Sequence, residues 1–84
     1  MWLFPLCKRT KDYSYSDLVD KVLSELIEFT KETDLEKKAM EAIDILHSAE
    51  TLTRQFFLRN PSLSFKTFKS CVIIKNRQRG YYRK

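Results

Sequence analysis

The residues best suited to grip another molecule lie in the last third of the chain. Lys66, Lys69, Lys75, Arg77, Arg79, Arg83 and Lys84 fall within nineteen residues, interleaved with Phe65, Phe68, Tyr81 and Tyr82, and no acid stands among them. Guanidinium forks match phosphate oxygens in shape and charge, and exposed tyrosines stack on unpaired bases. The chemistry this pattern points to is nucleic-acid binding, with Gly80 free to turn the backbone or let it approach a ligand. If five of these charges each neutralise a phosphate, the logarithm of the binding constant should fall against log salt with a slope of about −4 to −5. Phe65 and Phe68 read as core residues rather than stacking platforms.

Other chemistries find less support. Cys7 and Cys71 stand 64 positions apart and are joined by a single histidine, His47, too few soft ligands for a tetrahedral zinc site. Both read as free thiols in a reducing compartment, and a disulfide between them is the alternative. Glu28 with Glu32, and Asp17 with Asp20, would share helix faces, but without a companion histidine or a further carboxylate pair they read as solvated faces. One glycine cannot build a phosphate-cradling loop. No set of nucleophile, base and orienter stands out, so neither catalysis nor a cofactor is expected.

Known nucleic-acid-binding layouts fit poorly. The first half of the second helix is too acidic to enter a major groove, as a helix-turn-helix would require. A ribbon-helix-helix would make a strand of residues 2–9, which Pro5 and the apolar content oppose. Arg79-Gly80-Tyr81-Tyr82 begins like an RNA-recognition strand motif, but the four strands that such a sheet needs are missing from the pattern.

The 84 residues suit one small domain, which buries roughly 60 to 65% of its unfolded surface. With 43% apolar and 13% aromatic residues there is material for a core, and a single glycine favours long regular elements. The net charge of +5 conceals three blocks. Residues 1–11 carry +3, residues 12–50 hold all eleven acids against four lysines for −7, and residues 51–84 carry +9 with no acid. "MWLFPLC" at the start is too short to span a bilayer and lacks the basic lead of a signal peptide. A cytoplasmic protein with no transmembrane segment is expected. Trp2, Leu3, Phe4 and Leu6 read as cover for an edge of the core. In the alternative, Trp2 and Phe4 anchor a partner or a membrane surface.

The elements that must position these residues are helical. Ser14-Tyr15-Ser16-Asp17 has capping-box spacing, and apolar residues then recur every three or four positions, predicting a helix over about 17–31. Thr33-Asp34-Leu35-Glu36 repeats the capping signal and opens a longer helix over about 34–58, stopped by Pro61. Leu35, Ala39, Ala42, Ile43, Leu46, Ala49, Phe56 and Phe57 form one broad stripe along it, and its alanines suggest close approach to the first helix. Beyond Pro61 a third helix entered through Ser62 or Ser64 and running to about residue 74 is preferred. The alternative is a short strand over Val72-Ile73-Ile74.

The expected fold is mainly α: an antiparallel helix pair with a third short helix or small strand element packed against it. One domain, 1–84, would comprise an apolar and basic segment (1–11), an acidic helical hairpin (12–60) and a basic segment (61–84). The leading functional expectation is a non-enzymatic regulator that binds nucleic acid through its basic Arg/Tyr surface. Its rival is an inhibitor or adaptor docking on an acidic protein, such as a nucleic-acid-handling enzyme. A homodimer would cover apolar surface left bare on the long helix.

Overall fold

A computed structural model describes residues 2–82. Four helices follow one another: α1 (Arg9–Asp12), α2 (Tyr15–Lys31), α3 (Leu35–Arg59) and α4 (Phe65–Gln78), with no strand among the described residues. Their ends follow local chemistry. At α2 the Ser14 hydroxyl accepts from the Asp17 amide at 3.1 Å, while the Asp17 carboxylate accepts from the Ser14 amide at 3.3 Å, completing the expected capping box. Ser64 caps α4 by accepting from the Thr67 amide at 3.2 Å.

The start of α3 departs from expectation. Asp34, not Thr33, is its N-cap, accepting from the Lys37 amide at 3.0 Å, and Glu32 rather than Glu36 receives the cap amide, at 3.1 Å. A carboxylate accepts a stronger bond than a hydroxyl and also complements the helix dipole, so the charged residue takes the position.

The strand alternative at Val72-Ile73-Ile74 is overturned. These residues lie within α4, which continues to Gln78, four residues past the expected end. At its close the Gly80 amide donates to the Arg77 carbonyl and the Tyr81 amide to the Asn76 carbonyl, both at 3.0 Å, with Gly80 at φ 79°. This is a Schellman ending, and its left-handed residue explains why the chain's single glycine stands there. A cap at each end outweighs the modest helix penalty of three β-branched residues.

α2 and α3 pack as the antiparallel pair, joined through Glu32–Asp34. Shielded residues recur along α2 at Leu18, Val22, Glu25 and Phe29 and at Glu32 just beyond it, and along α3 at Lys38, Glu41, Ile45, Ser48, Leu52 and Gln55. Those alternating steps of three and four are the spacing of two helices sharing a long seam. Across it the Ser48 hydroxyl donates to the Glu25 carboxylate, and the Lys38 ammonium sits 4.6 Å from the centre of the Phe29 ring. The seam lies about a third of a turn from the apolar stripe of α3. Ala39 and Ala42 are exposed and do not serve as the expected close-approach surface.

The reason is that α3 serves three neighbours. α2 takes one side, residues 2–13 lie along a second, and α4 docks at the far end through Phe57, whose ring lies 5.4 Å from Phe65 and 6.4 Å from Phe68. The excess length of α3 over α2 is therefore covered by the two terminal segments. The interior is correspondingly polar: Leu18 is buried together with Thr10, Glu25, Thr51 and Gln55.

Candidate functional site

The site expected from sequence maps onto α4 and the turn after it. Lys66, Lys69, Lys75, Arg77 and Arg79 are all exposed, as are Tyr81 and Tyr82 beyond the Gly80 turn. Arg83 and Lys84 lie outside the described residues. At about 100° per residue, Lys66 and Arg77 share one side of α4, and Lys69 stands between them and the apolar strip of Phe65, Phe68 and Val72. Lys75 and Arg79, one turn apart, continue the line of that strip. The cations thus form a belt around the helix rather than a single face.

Among the described residues none of these five cations stands in an ion pair. The one ion pair among the described residues joins Arg54 to Glu50 at 3.3 Å. Most of the acids, from Glu25 to Asp44, lie toward the α2–α3 connection. There partial burial, reinforced by Glu28, Glu32, Asp44 and Glu25, pushes the Glu41 carboxyl above its ordinary value. The acids around Glu41 therefore lie away from α4, whereas Glu50 pairs with Arg54, and Tyr13, next to Asp12, is bonded by Gln55 and Arg59 near the end of α3.

Trp2 and Phe4, expected to cover the core or to anchor a partner, are half-buried and already stacked. The Trp2 ring lies 4.6 Å from Phe65 with the Arg54 guanidinium 4.8 Å from its centre, and Phe4 lies 4.6 Å from the His47 ring. Two polar side chains that the sequence reading did not single out hold this segment on α3. The Glu50 carboxylate accepts from the amides of Leu3 at 3.1 Å and Phe4 at 3.0 Å, while Arg54 donates to the Phe4 carbonyl at 2.9 Å. Burial alone would raise the Glu50 pKa, but the two amides and Arg54 outweigh it and hold the carboxyl below its ordinary value.

One turn on, the Gln55 amide donates to the carbonyls of Thr10 at 3.1 Å and Tyr13 at 2.6 Å. A Glu and an Arg four apart are visible as a helix pair in sequence. That they bond the backbone of a distant segment is not.

Three open apolar grooves run along the side of α3 turned from α2. The first, about 400 Å³, is lined by Ala39, Met40, Ile43 and Asp44. The next, about 480 Å³, lies between Leu46, Thr53, Trp2, Leu3 and Lys69. The third, about 290 Å³, lies between Phe57, Phe68, Lys69 and Val72. Ile43, Leu46, Phe68 and Val72, which border them, are between 44 and 53% exposed.

The enclosed space beside Cys7, His47 and Ser48 is only about 10 Å³, room for a water but not for a substrate. Cys7 and Cys71 are free thiols. Among the described residues no three His, Cys, Asp or Glu side chains gather to hold a metal, and no helix is long and apolar enough to cross a membrane. No protein-family model, curated protein or solved structure matches this chain.

Proposed function

We propose that this protein is a small non-enzymatic regulator that binds nucleic acid through α4 and the Gly80 turn. The observation that supports it most is the belt of five exposed cations, none in an ion pair among the described residues, ending in a turn that presents Tyr81 and Tyr82 to solvent. Lysines and arginines around the helix would contact phosphates, and the two tyrosines would stack on bases of a single strand. α4 docks at the far end of α3 from the carboxylates around Glu41, which limits their repulsion of a phosphate ligand. The reading takes the cytoplasm as the compartment, in keeping with two free thiols.

Fluorescence anisotropy with labelled single-stranded and duplex DNA and RNA tests it. Between about 50 and 200 mM salt, five phosphate contacts should weaken affinity about 250- to 1,000-fold. Replacing Lys75, Arg77 and Arg79 with glutamine should lower the salt slope by about 2 to 3, and Tyr81→Ala with Tyr82→Ala should reduce single-strand binding more than duplex binding. Affinity unchanged in the triple variant would defeat the proposal.

A second reading draws support from the groove beside Lys69, where Phe57, Phe68 and Val72 offer an apolar anchor next to one cation. It makes the protein an inhibitor or adaptor for an acidic partner. A stoichiometric partner retained after nuclease treatment, without measurable nucleic-acid affinity of the purified chain, would favour this second reading.

A further inference from the structure

We infer that the groove between α3 and α4 holds one base of a single-stranded nucleic acid whose phosphates run along α4. The inference rests on the reading of α4 proposed above and adds a base site to it. Among the described residues the lining of this groove comes from α3 and α4 alone, and residues 2–13 do not border it. Phe57 and Phe65 are its half-buried part, with ring centres 5.4 Å apart, whereas Phe68 and Val72 are 46 and 47% exposed. Its volume of about 290 Å³ equals that of roughly ten waters, enough for the flat ring of one base. A base stacks through its face and needs no polar partner there, which suits a mostly apolar lining, and its polar edge stays in water because the groove is open.

The arrangement of charge along α4 selects this occupant. Phe68, Val72, Lys75 and Arg79 follow at steps of four, three and four, which keeps them within about 60° of one another around the helix. Lys69 borders the groove itself. The line covers roughly 16 Å, the length of about five stacked nucleotides, and the Gly80 turn then presents Tyr81 and Tyr82. Each nucleotide brings one ring and one negative charge, so a strand answers the aromatic and the cationic residues of the same line. A peptide would have to place an apolar side chain and a separate run of acids along it. Two acids belong to this half of the molecule, and neither borders the groove. Glu50 borders the adjoining groove, and its carboxylate is bonded by the Leu3 and Phe4 amides and paired with Arg54. Tyr13, next to Asp12, is held by Gln55 and Arg59, about half a turn around α3 from Thr53 and Phe57. In a duplex the bases are paired and stacked, so none can enter the groove, and the site favours single strands.

The test combines fluorescence anisotropy on Phe68→Leu, which keeps an apolar side chain against Phe57 and removes the ring, with NMR of the wild-type chain. The probe is a mixed-sequence DNA single strand of about eight nucleotides, longer than the line on α4, compared with a duplex. Phe68→Leu should weaken single-strand binding about tenfold, leave duplex binding within about twofold and leave the salt slope unchanged, because a stacking face is lost and no phosphate contact is. In the wild type, base protons should show intermolecular NOEs to the Val72 methyl groups and the Phe68 ring. Absence of those NOEs, or a Phe68→Leu variant that binds single strands as tightly as wild type, overturns the inference. A steep salt slope retained alongside either result leaves the cationic reading of α4 standing. Absence of any salt-dependent binding overturns both. Val72 methyl signals that move with protein concentration alone, before oligonucleotide is added, would show that a second copy fills the groove and would likewise overturn the inference.

Discussion

Glu50 shows how one side chain can organise a segment far from it in sequence. Its carboxylate sits in α3, yet its partners are the amides of Leu3 and Phe4 and the guanidinium of Arg54, which reaches on to the Phe4 carbonyl and the Trp2 ring. The folded-state pKa lies below the ordinary value of 4.5, so this contribution to stability is present above that value and is lost as pH falls through the folded pKa. Trp2 is the only tryptophan, so its emission reports this segment alone. Acidification below about pH 4.5 should shift that emission to the red. Glu50→Gln should show the shifted emission already at neutral pH, with helix content retained. Emission identical in wild type and Glu50→Gln at neutral pH would show that the clamp does not hold the segment.

At the scale of elements, the helix boundaries are local and the helix partners are not. Ser14, Ser64 and Gly80 act through their own neighbours, so their positions could be read or nearly read in advance. Gly80 lies at φ 79°, where a residue with a Cβ is disfavoured by about 1 kcal/mol. Gly80→Ala should therefore fray the last turn of α4 and speed amide exchange at Gly80 and Tyr81 by about five- to tenfold, measured by NMR. Unchanged exchange would mean that the turn does not depend on the left-handed residue. The Thr33 cap was misplaced by one residue because two acceptors stood side by side and the stronger one won. The single turn of α1 gave no periodic signal, since four residues are too few to show one.

At the scale of the molecule, α4 is held by few contacts. None of its residues is fully buried, and its anchors are the aromatic cluster of Trp2, Phe57, Phe65 and Phe68. Phe57→Ala should remove the centre of that cluster, destabilise the fold by about 2 kcal/mol, and expose residues 60–64 to faster proteolysis. A variant as stable and as protease-resistant as wild type would mean that α4 docks by other means. This light attachment suits an element whose proposed work lies on its exposed side. The segregation of charge also belongs to this scale, since the helical hairpin keeps the crowded carboxylates around Glu41 at one end and α4 at the other.

The linear order of residues was enough for the mainly helical class, the two long helices, the Ser14 cap of the first of them and the cationic stretch, because periodicity, capping and net charge are properties of near neighbours. It misled on which side of α3 faces α2. The apolar stripe was the natural choice, yet Lys38, Glu41, Ser48 and Gln55 lie in the seam and Ile43 and Leu46 face outward. Only the tertiary structure could decide this. A helix with three neighbours must satisfy the backbone polar groups of the segments laid upon it, and Glu50, Arg54 and Gln55 bond to groups more than forty residues away. Those bonds hold the N-terminal segment on α3 through polar rather than apolar side chains, so polar residues of α3 are shielded while Ile43 and Leu46 stay half-exposed.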